Sequence, residues 1–265
     1  MTEVFLATAL ALAGAFGLLW LLSLTLRDAS IVDIFWGVGF VMVAWVAYVT
    51  GEAEHGRHLV LAVAVSVWGL RLGGYLAWRN IGKGEDPRYQ AMRHRWGGRF
   101  WWVSLFTVFL LQGLIMWIVS LPVQVAMASE GPDTFWPAVV IGILVWATGV
   151  SFETVGDYQL ARFKADPENK GMVMDGGLWR YTRHPNYFGD FMVWWGLYLA
   201  SLGTIDPWWT FIGPALMSFM LIRVSGVAML ERSIGKRRPG YDEYIRRTSS
   251  FFPRRPKSPT AAGGG

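Results

Sequence analysis

Apolar residues along this chain gather into seven long blocks, at roughly 4–26, 31–50, 58–78, 100–121, 135–157, 187–203 and 207–230. Each is near the length a helix needs to cross the hydrocarbon core of a bilayer, about 20 residues. Polar residues sit between the blocks instead of alternating with apolar ones, which argues against strands and against water-facing amphipathic helices. The pattern predicts an all-α polytopic membrane protein, a single bundle of seven transmembrane helices over residues 1–253. A disordered basic tail rich in Pro, Arg and Gly is expected at 254–265. The opening block, Met1 to Trp20, lacks the basic start and cleavage site of a signal peptide, so it is taken as the first span.

Charge adds an orientation. The 79–99 segment carries Arg79, Lys83, Arg88, Arg93, Arg95 and Arg99, and the 158–186 segment carries Arg162, Lys164, Lys170, Arg180 and Arg183. The 122–134 and 203–207 segments carry no Lys or Arg, and the tail after residue 231 is basic again. Alternate loops are therefore basic, which places the N-terminus outside and the C-terminus in the cytoplasm. The tail's cations either meet an anionic leaflet surface or act only as an orientation signal. Of 265 residues, 53% are hydrophobic and 16% charged, against about 25% charged in a soluble domain. The absence of Cys excludes disulfides, thiolate metal sites and Cys nucleophiles. The net charge of +5 lies mainly in the loops, so it reports on topology and membrane lipid contact, not on nucleic acid.

Ionisable groups at membrane depth are costly and mark candidate sites. Asp33 opens the second block, either as a first-turn acid of the helix or as a carboxyl aimed into a cavity. In the third block Trp68, Arg71, Tyr75 and Arg79 share one helix face. Arg71 needs an anion there, with Asp33 or a phosphate-bearing ligand as the options. Glu153, Asp157, Leu160 and Lys164 share a face at the end of the fifth block, where a structural pairing with Arg71 or Arg223 is the plainer alternative. The densest polar run, Arg180-Tyr181-Thr182-Arg183-His184-Pro185-Asn186-Tyr187-Phe188-Gly189-Asp190, leads into the sixth block. Pro185 suits the first turn of a helix, and Asn186, Asp190 and Trp194 then follow along one face. Arg223 lies inside the seventh block, and Glu231, Tyr241 and Tyr244 follow it.

These groups cluster at the cytoplasmic ends of the blocks, beside the basic loops. Such a cavity suits a ligand with an anionic polar part and a flat or hydrophobic part. Metal catalysis is disfavoured, because the four His residues are scattered and no HExxH spacing occurs. No GxSxG, Walker or strand-associated GxGxxG motif is present. A bound nucleotide would have to be held by membrane helices and their loops, with Lys and Arg on its phosphates, Asn186 and Asp190 on an amide or sugar hydroxyl, and Trp194 against a flat ring.

The run Arg183-His184-Pro185-Asn186-Tyr187-Phe188-Gly189-Asp190, preceded by Asp175-Gly176-Gly177-Leu178-Trp179-Arg180-Tyr181 and by Glu153, Asp157, Phe163 and Lys164, resembles the C-terminal region of the steroid 5α-reductase family. More narrowly it resembles the bacterial DUF1295 branch, whose start is similar to Asp33-Ile34-Phe35-Trp36-Gly37. The resemblance implies a membrane reductase that uses NADPH to reduce the C4–C5 double bond of a 3-oxo-Δ4-steroid or a related enone, with oxyanion-type stabilisation of the enolate. It implies cofactor contacts in the half spanning about 150–250. Asn186, Asp190, Trp194, Asp157, Lys164, Arg71 and Tyr75 match family positions, with Glu153, Arg162, Tyr181, Arg183, His184, Tyr187, Arg223, Glu231, Tyr241 and Tyr244 around them. Arg162 and Lys164 are candidates for a 2′-phosphate. Asp33, Trp36 and Trp68 would face the substrate, and Asp33 or Tyr75 would give the proton. The family's Gln-Glu pair on the second span is matched only by Asp33, and Trp68 stands where the family has a Tyr.

Isoprenylcysteine carboxyl and phospholipid methyltransferases carry a similar Arg-His-Pro-x-Tyr-x-Gly run, and Glu231, Tyr241 and Tyr244 fit their pattern as well. S-adenosylmethionine carries no phosphate, so that ligand would offer no phosphate anion to Lys164, Arg71 and Arg223. A reductase in a bacterial inner membrane, with its cofactor site facing the cytoplasm, is the expectation that emerges. Nothing in the sequence demands more than a monomer.

Overall fold

The computed structural model describes residues 1–51, 56–129, 136–202, 208–224 and 240–257. Among these residues every regular element is helical, apart from an isolated parallel bridge between Thr182 and Ser249. The helices are α1 (Thr2–Leu26), α2 (Ile31–Thr50), α3 (Gly56–Asn80), α4 (Pro87–Val119), α5 (Leu121–Met127), α6 (Trp136–Ala165), α7 (Pro185–Ser201), α8 (Trp208–Val224) and α9 (Tyr241–Arg247). Five of them, α1, α2, α3, α4 and α6, are long and apolar enough to cross a membrane. Helix α7 has 17 residues and so spans about 25 Å, short of a typical hydrocarbon core. Helix α8 is a shorter apolar helix that ends in a π turn over Met220–Val224.

Two boundaries differ from the hydrophobic blocks. Helix α4 starts at Pro87, so Arg88 and Tyr89 are helical where the sequence suggests a loop. The reason is local: the Asp86 carboxyl accepts from the Arg88 N–H at 2.9 Å, and Pro87 takes the first helical position. The helix then passes through a 3₁₀ turn at Gly97–Arg99 and a π segment at Leu105–Leu110 before it ends at Val119. Helix α6 continues to Ala165, well past the apolar block, because no Gly-Pro break follows until Asp166-Pro167 begins a new 3₁₀ turn.

Backbone packing divides the chain into two compact units. One comprises Met1–Ile143 with Leu197–Gly213, the other Leu144–Gly196 with Pro214–Gly265. In the first unit α1 buries a stripe of Val4, Thr8, Leu12 and Phe16, while Leu6, Leu10, Leu18 and Leu22 are exposed. A helix apolar all round is built for lipid contact. Helices α2 and α3 cross at Gly37, Gly69 and Gly73, where a methyl on Gly37 or Gly69 would strike the other's carbonyl; small residues allow this approach. Trp36 and Trp68 each pack edge-on against Phe40, at 5.3 and 5.5 Å. The turn between α3 and α4 ties into the start of α2. Glu85 receives a two-pronged contact from Arg93, at 2.8 and 3.0 Å, and accepts from the Ala29 N–H at 2.9 Å. Burial alone would raise the Glu85 carboxyl, but these hydrogen bonds and the Arg93 charge outweigh it and hold it below its ordinary pKa. Asp86 is likewise burdened by burial and net lowered, through Arg88.

In the second unit α6 and α7 cross on glycines. A Cβ on Gly189 would lie 2.6 Å from the Glu153 nitrogen and the Gly149 oxygen, and one on Gly149 would lie 2.7 Å from the Val193 nitrogen. Gly156 packs on Pro185, where a Cβ would meet the ring at 3.1 Å. Loop 177–184 runs back over α6: the Trp179 indole N–H donates to the Gly156 carbonyl at 3.0 Å, and the Leu178 N–H donates to Gln159 Oε1 at 3.0 Å. The described start of the tail expected to be disordered is hydrogen-bonded, with the Arg254 N–H on the Tyr181 carbonyl and the Lys257 N–H on the Arg247 carbonyl, both at 3.0 Å. Residues 258–265 lie outside the described residues.

Candidate functional site

The glycine crossing of α6 and α7 gathers the polar residues of two helices. Glu153 and Asp157 lie one turn apart on α6, and Asn186 and Asp190 one turn apart on α7. Glu153, Asp157 and Asp190 are buried, at 3%, 4% and 9% exposure, so these are groups removed from water rather than a solvated face. The Asn186 carboxamide N–H donates to Asp157 Oδ1 at 3.3 Å, while Asn186 Oδ1 accepts from the Tyr187 N–H at 3.1 Å. Trp194, fully buried, continues the α7 face one turn further on. Close approach of two backbones is what makes this possible. A side chain at Gly149 or Gly189 would hold the helices apart and separate the carboxyls from the carboxamide.

The rest of the Arg180–Asp190 run is held in place. Helix α7 begins at Pro185, as its position in the sequence suggests. His184 stacks on Tyr187, with ring centroids 5.5 Å apart and planes 9° apart. Arg183 is buried, and its Nη1 donates to the carbonyls of Ile245, at 3.1 Å, and Thr248. A cation there meets the negative end of α9. Tyr241 and Tyr244 are buried on α9, and the Tyr244 hydroxyl donates to the Trp179 carbonyl. Tyr181 is half exposed at the surface of the loop. Beyond α6, two adjoining concavities of about 480 and 330 Å³ share Phe163, Asp166 and Asn169. The first is also lined by Arg162, the second by Lys164 and Lys170. Arg223 sits exposed in the π turn of α8. Glu231 lies outside the described residues.

The remaining candidates belong to the first unit. The Asp33 carboxyl accepts from Arg88 Nη2 at 2.6 Å and from the Tyr89 hydroxyl at 2.7 Å. Its two oxygens are thus engaged by α4, where the sequence offers Arg71 as a partner. Arg88 is also bound to Asp86 at 2.9 Å, and Gln112 Nε2 donates to the Tyr89 oxygen at 3.3 Å. Asp33 lies in the first turn of α2, whose cap is Ser30, so the first-turn and cavity readings are compatible. Tyr75 lies between Arg71 and Arg79, with guanidinium carbons 5.7 and 5.6 Å from its ring centre. Sequence reading missed Arg88, Tyr89 and Gln112. The Asp86-Pro87 cap signal would have revealed the first two as helical. It also missed Gly149, Gly156 and Gly189, whose role depends on the partner helix.

These features define a multi-pass helical membrane protein with a cluster of buried carboxyls and a half-buried carboxamide at a helix crossing. The chain belongs to the DUF1295 family, described as a protein of unknown function, whose family profile matches residues 19–248. It is similar to a probable O-methyltransferase, ustE, of Ustilaginoidea virens, at 34% identity over 131 residues, or 49% of this chain and 40% of that protein. It is similar to 3-oxo-5-alpha-steroid 4-dehydrogenase 1 of Homo sapiens, at 32% identity over 92 residues, or 35% of this chain and 33% of that protein. It is also similar to steroid 5-alpha-reductase DET2 of Arabidopsis thaliana, at 33% identity over 67 residues, or 25% of this chain and 26% of that protein. The matched segments therefore span well under half of these relatives' own lengths. No solved structure matches the chain.

Proposed function

We propose that this protein is an NADPH-dependent membrane reductase of an enone, with 3-oxo-Δ4-steroids as the model substrate class. The observation that carries the reading is the set of buried Glu153, Asp157 and Asp190 with the half-buried Asn186 at the α6–α7 crossing. Its acceptors and its carboxamide suit the amide and ribose hydroxyls of a nicotinamide nucleoside, and Trp194 suits a flat ring. Arg162, Lys164 and Lys170 in the adjoining concavities suit phosphates. When bound, NADPH would supply a hydride to the β carbon of the enone, and a proton must then reach the α carbon.

Asn186 and Asp190 orient the cofactor amide in this reading, and Asp157 fixes Asn186. Lys164 and Arg162 take the phosphates, with Arg223 as a further cation. Arg183, His184, Tyr187, Tyr241 and Tyr244 keep the loop and α7 in register. Asp33, with Trp36 and Trp68, serves the substrate. The Asp33–Tyr89 hydrogen bond makes these two a proton-bearing pair, alongside Tyr75 as the other donor. We further propose seven crossings, α7 and α8 included, with the N-terminus outside and the cofactor site in the cytoplasm. The alternation of basic loops supports this.

One observation favours a second reading. The O-methyltransferase relative matches a larger share of the chain than either steroid reductase does. A single titration separates the two. Purified protein should bind NADPH, and should consume it when testosterone or progesterone is added, with the saturated product seen by mass spectrometry. Binding of S-adenosylmethionine with no response to NADPH would reject the reductase.

A further inference from the structure

The chain's last described segment is folded onto the loop that leads into the candidate site. Helix α9 and residues 248–257 are tied to residues 179–183 by the Thr182–Ser249 bridge and the Arg183 N–H to the Ser249 carbonyl at 2.9 Å. They are tied again by the Thr182 hydroxyl to the Phe251 carbonyl at 2.7 Å and by the Arg254 N–H to the Tyr181 carbonyl at 3.0 Å. Pro253, just before the last of these contacts, and Pro256, two residues after it, restrict the backbone there. The result is a strap with two unlike halves. Phe251 is buried and Phe252 is 48% exposed. Both pack edge-on to Phe191 of α7, at 5.6 and 5.7 Å, and to Phe188, at 6.1 and 6.2 Å. Phe252 therefore extends the apolar flank of α7 at its Pro185 end.

Beyond this aromatic step the exposed side chains are cationic. Arg254, Arg255 and Lys257 lie on the strap, Arg246 on α9 and Arg180 on the loop, all exposed. None of these five forms an ion pair among the described residues. The acids nearby in sequence are Asp242 and Glu243, and Glu243 meets Arg247 at 3.5 Å. An exposed aromatic ring at the end of an apolar helix, with fixed cations next to it, has the layout of a bilayer interface: ring at the boundary, charges among the headgroups.

We propose that this strap is a binding surface for anionic phospholipid headgroups. It selects them over zwitterionic ones through Arg254, Arg255 and Lys257, with Phe252 inserted at the interface. The surface is preformed, since backbone hydrogen bonds hold its cations together, whereas cations on a loose tail would have to be ordered first. The proposal is independent of the reductase reading.

The test uses the full chain in mixed micelles of phosphatidylglycerol and phosphatidylcholine, with retained lipid counted by native mass spectrometry. The protein should retain phosphatidylglycerol preferentially. Preference should fall by about fivefold for each cation removed in the series Arg254→Ser, Arg255→Ser and Lys257→Ser. Phe252→Ser should weaken retention of both lipids, and the thermal midpoint of each variant reports whether it is folded. Inorganic phosphate at millimolar concentration should not displace the lipid. Unchanged preference in the folded triple variant would overturn the proposal. So would displacement by inorganic phosphate, which would mark a free-anion site, or equal competition by a soluble phosphopeptide, which would mark a protein-docking surface.

Discussion

The glycine crossing makes the most direct prediction. In Gly189→Ala the new methyl would sit 2.6 Å from the Glu153 nitrogen and the Gly149 oxygen and 2.8 Å from Glu153 Cβ. Two of these atoms are backbone and cannot swing aside. Reaching an ordinary contact of about 3.4 Å requires the helices to separate by roughly 0.8 Å, and overpacking of this kind costs about 1–3 kcal/mol. Alanine returns about 1 kcal/mol through its better helix propensity. Because the clash is backbone on backbone, the upper part of the range applies, leaving a net loss of about 2 kcal/mol. The site should suffer as well as the fold. The Asn186–Asp157 hydrogen bond is already 3.3 Å long, and a further 0.8 Å would break it. Loss of that alignment should weaken NADPH affinity at least tenfold, or about 1.4 kcal/mol. The assay pairs a thermal melt in detergent with a cofactor titration read from tryptophan fluorescence. Gly17→Ala on α1 is the control, since a methyl there meets nothing within 4 Å, and it should be neutral or slightly stabilising. If Gly189→Ala melted and bound like the parent protein, the close crossing would not be what assembles this site.

Other outcomes follow from the same geometry. Asn186→Ala and Asp190→Ala should each reduce cofactor affinity tenfold or more with a smaller effect on melting; full activity in both would remove that face from the site. Asp33→Asn keeps a first-turn polar group but loses the charge that pairs with Arg88, so turnover should drop at least tenfold while stability falls by about 1 kcal/mol; a pure helix-end role would leave turnover intact. Glu85 and Asp86 have pKa values lowered in the folded protein. Their stabilising contribution is therefore present above the unfolded values of about 4.3 and 3.9 and is lost as pH falls through the folded ones. The melting temperature should hold from pH 7 to about 5 and decline below about 4, and Glu85→Gln should flatten part of that decline.

How much of this was legible in the sequence depends on the range of the forces involved. Membrane-length helices are written in composition, because a bilayer rewards any run of apolar residues of sufficient length whatever its partners. The start of α7 at Pro185 was equally local, set by a ring that lacks a donor. The start of α4 was local too, in Asp86-Pro87, although basic residues made the segment look like a loop. The shared faces of Glu153 with Asp157 and of Asn186 with Asp190 follow from helical spacing alone. Their meeting does not. It rests on Gly149 and Gly189, two residues without side chains, whose only signal is the space they leave for another helix. The partners of Asp33 were hidden for a similar reason, since Arg88 and Tyr89 lie 55 and 56 positions away in the chain and no periodicity connects them. The run from Arg180 to Asp190 stood out as a candidate site from sequence alone by its density of polar groups. Only the tertiary structure divided it, turning Arg183 toward the carbonyls at the end of α9 and Asn186 toward Asp157, because a side chain's role is settled by which backbone packs beside it.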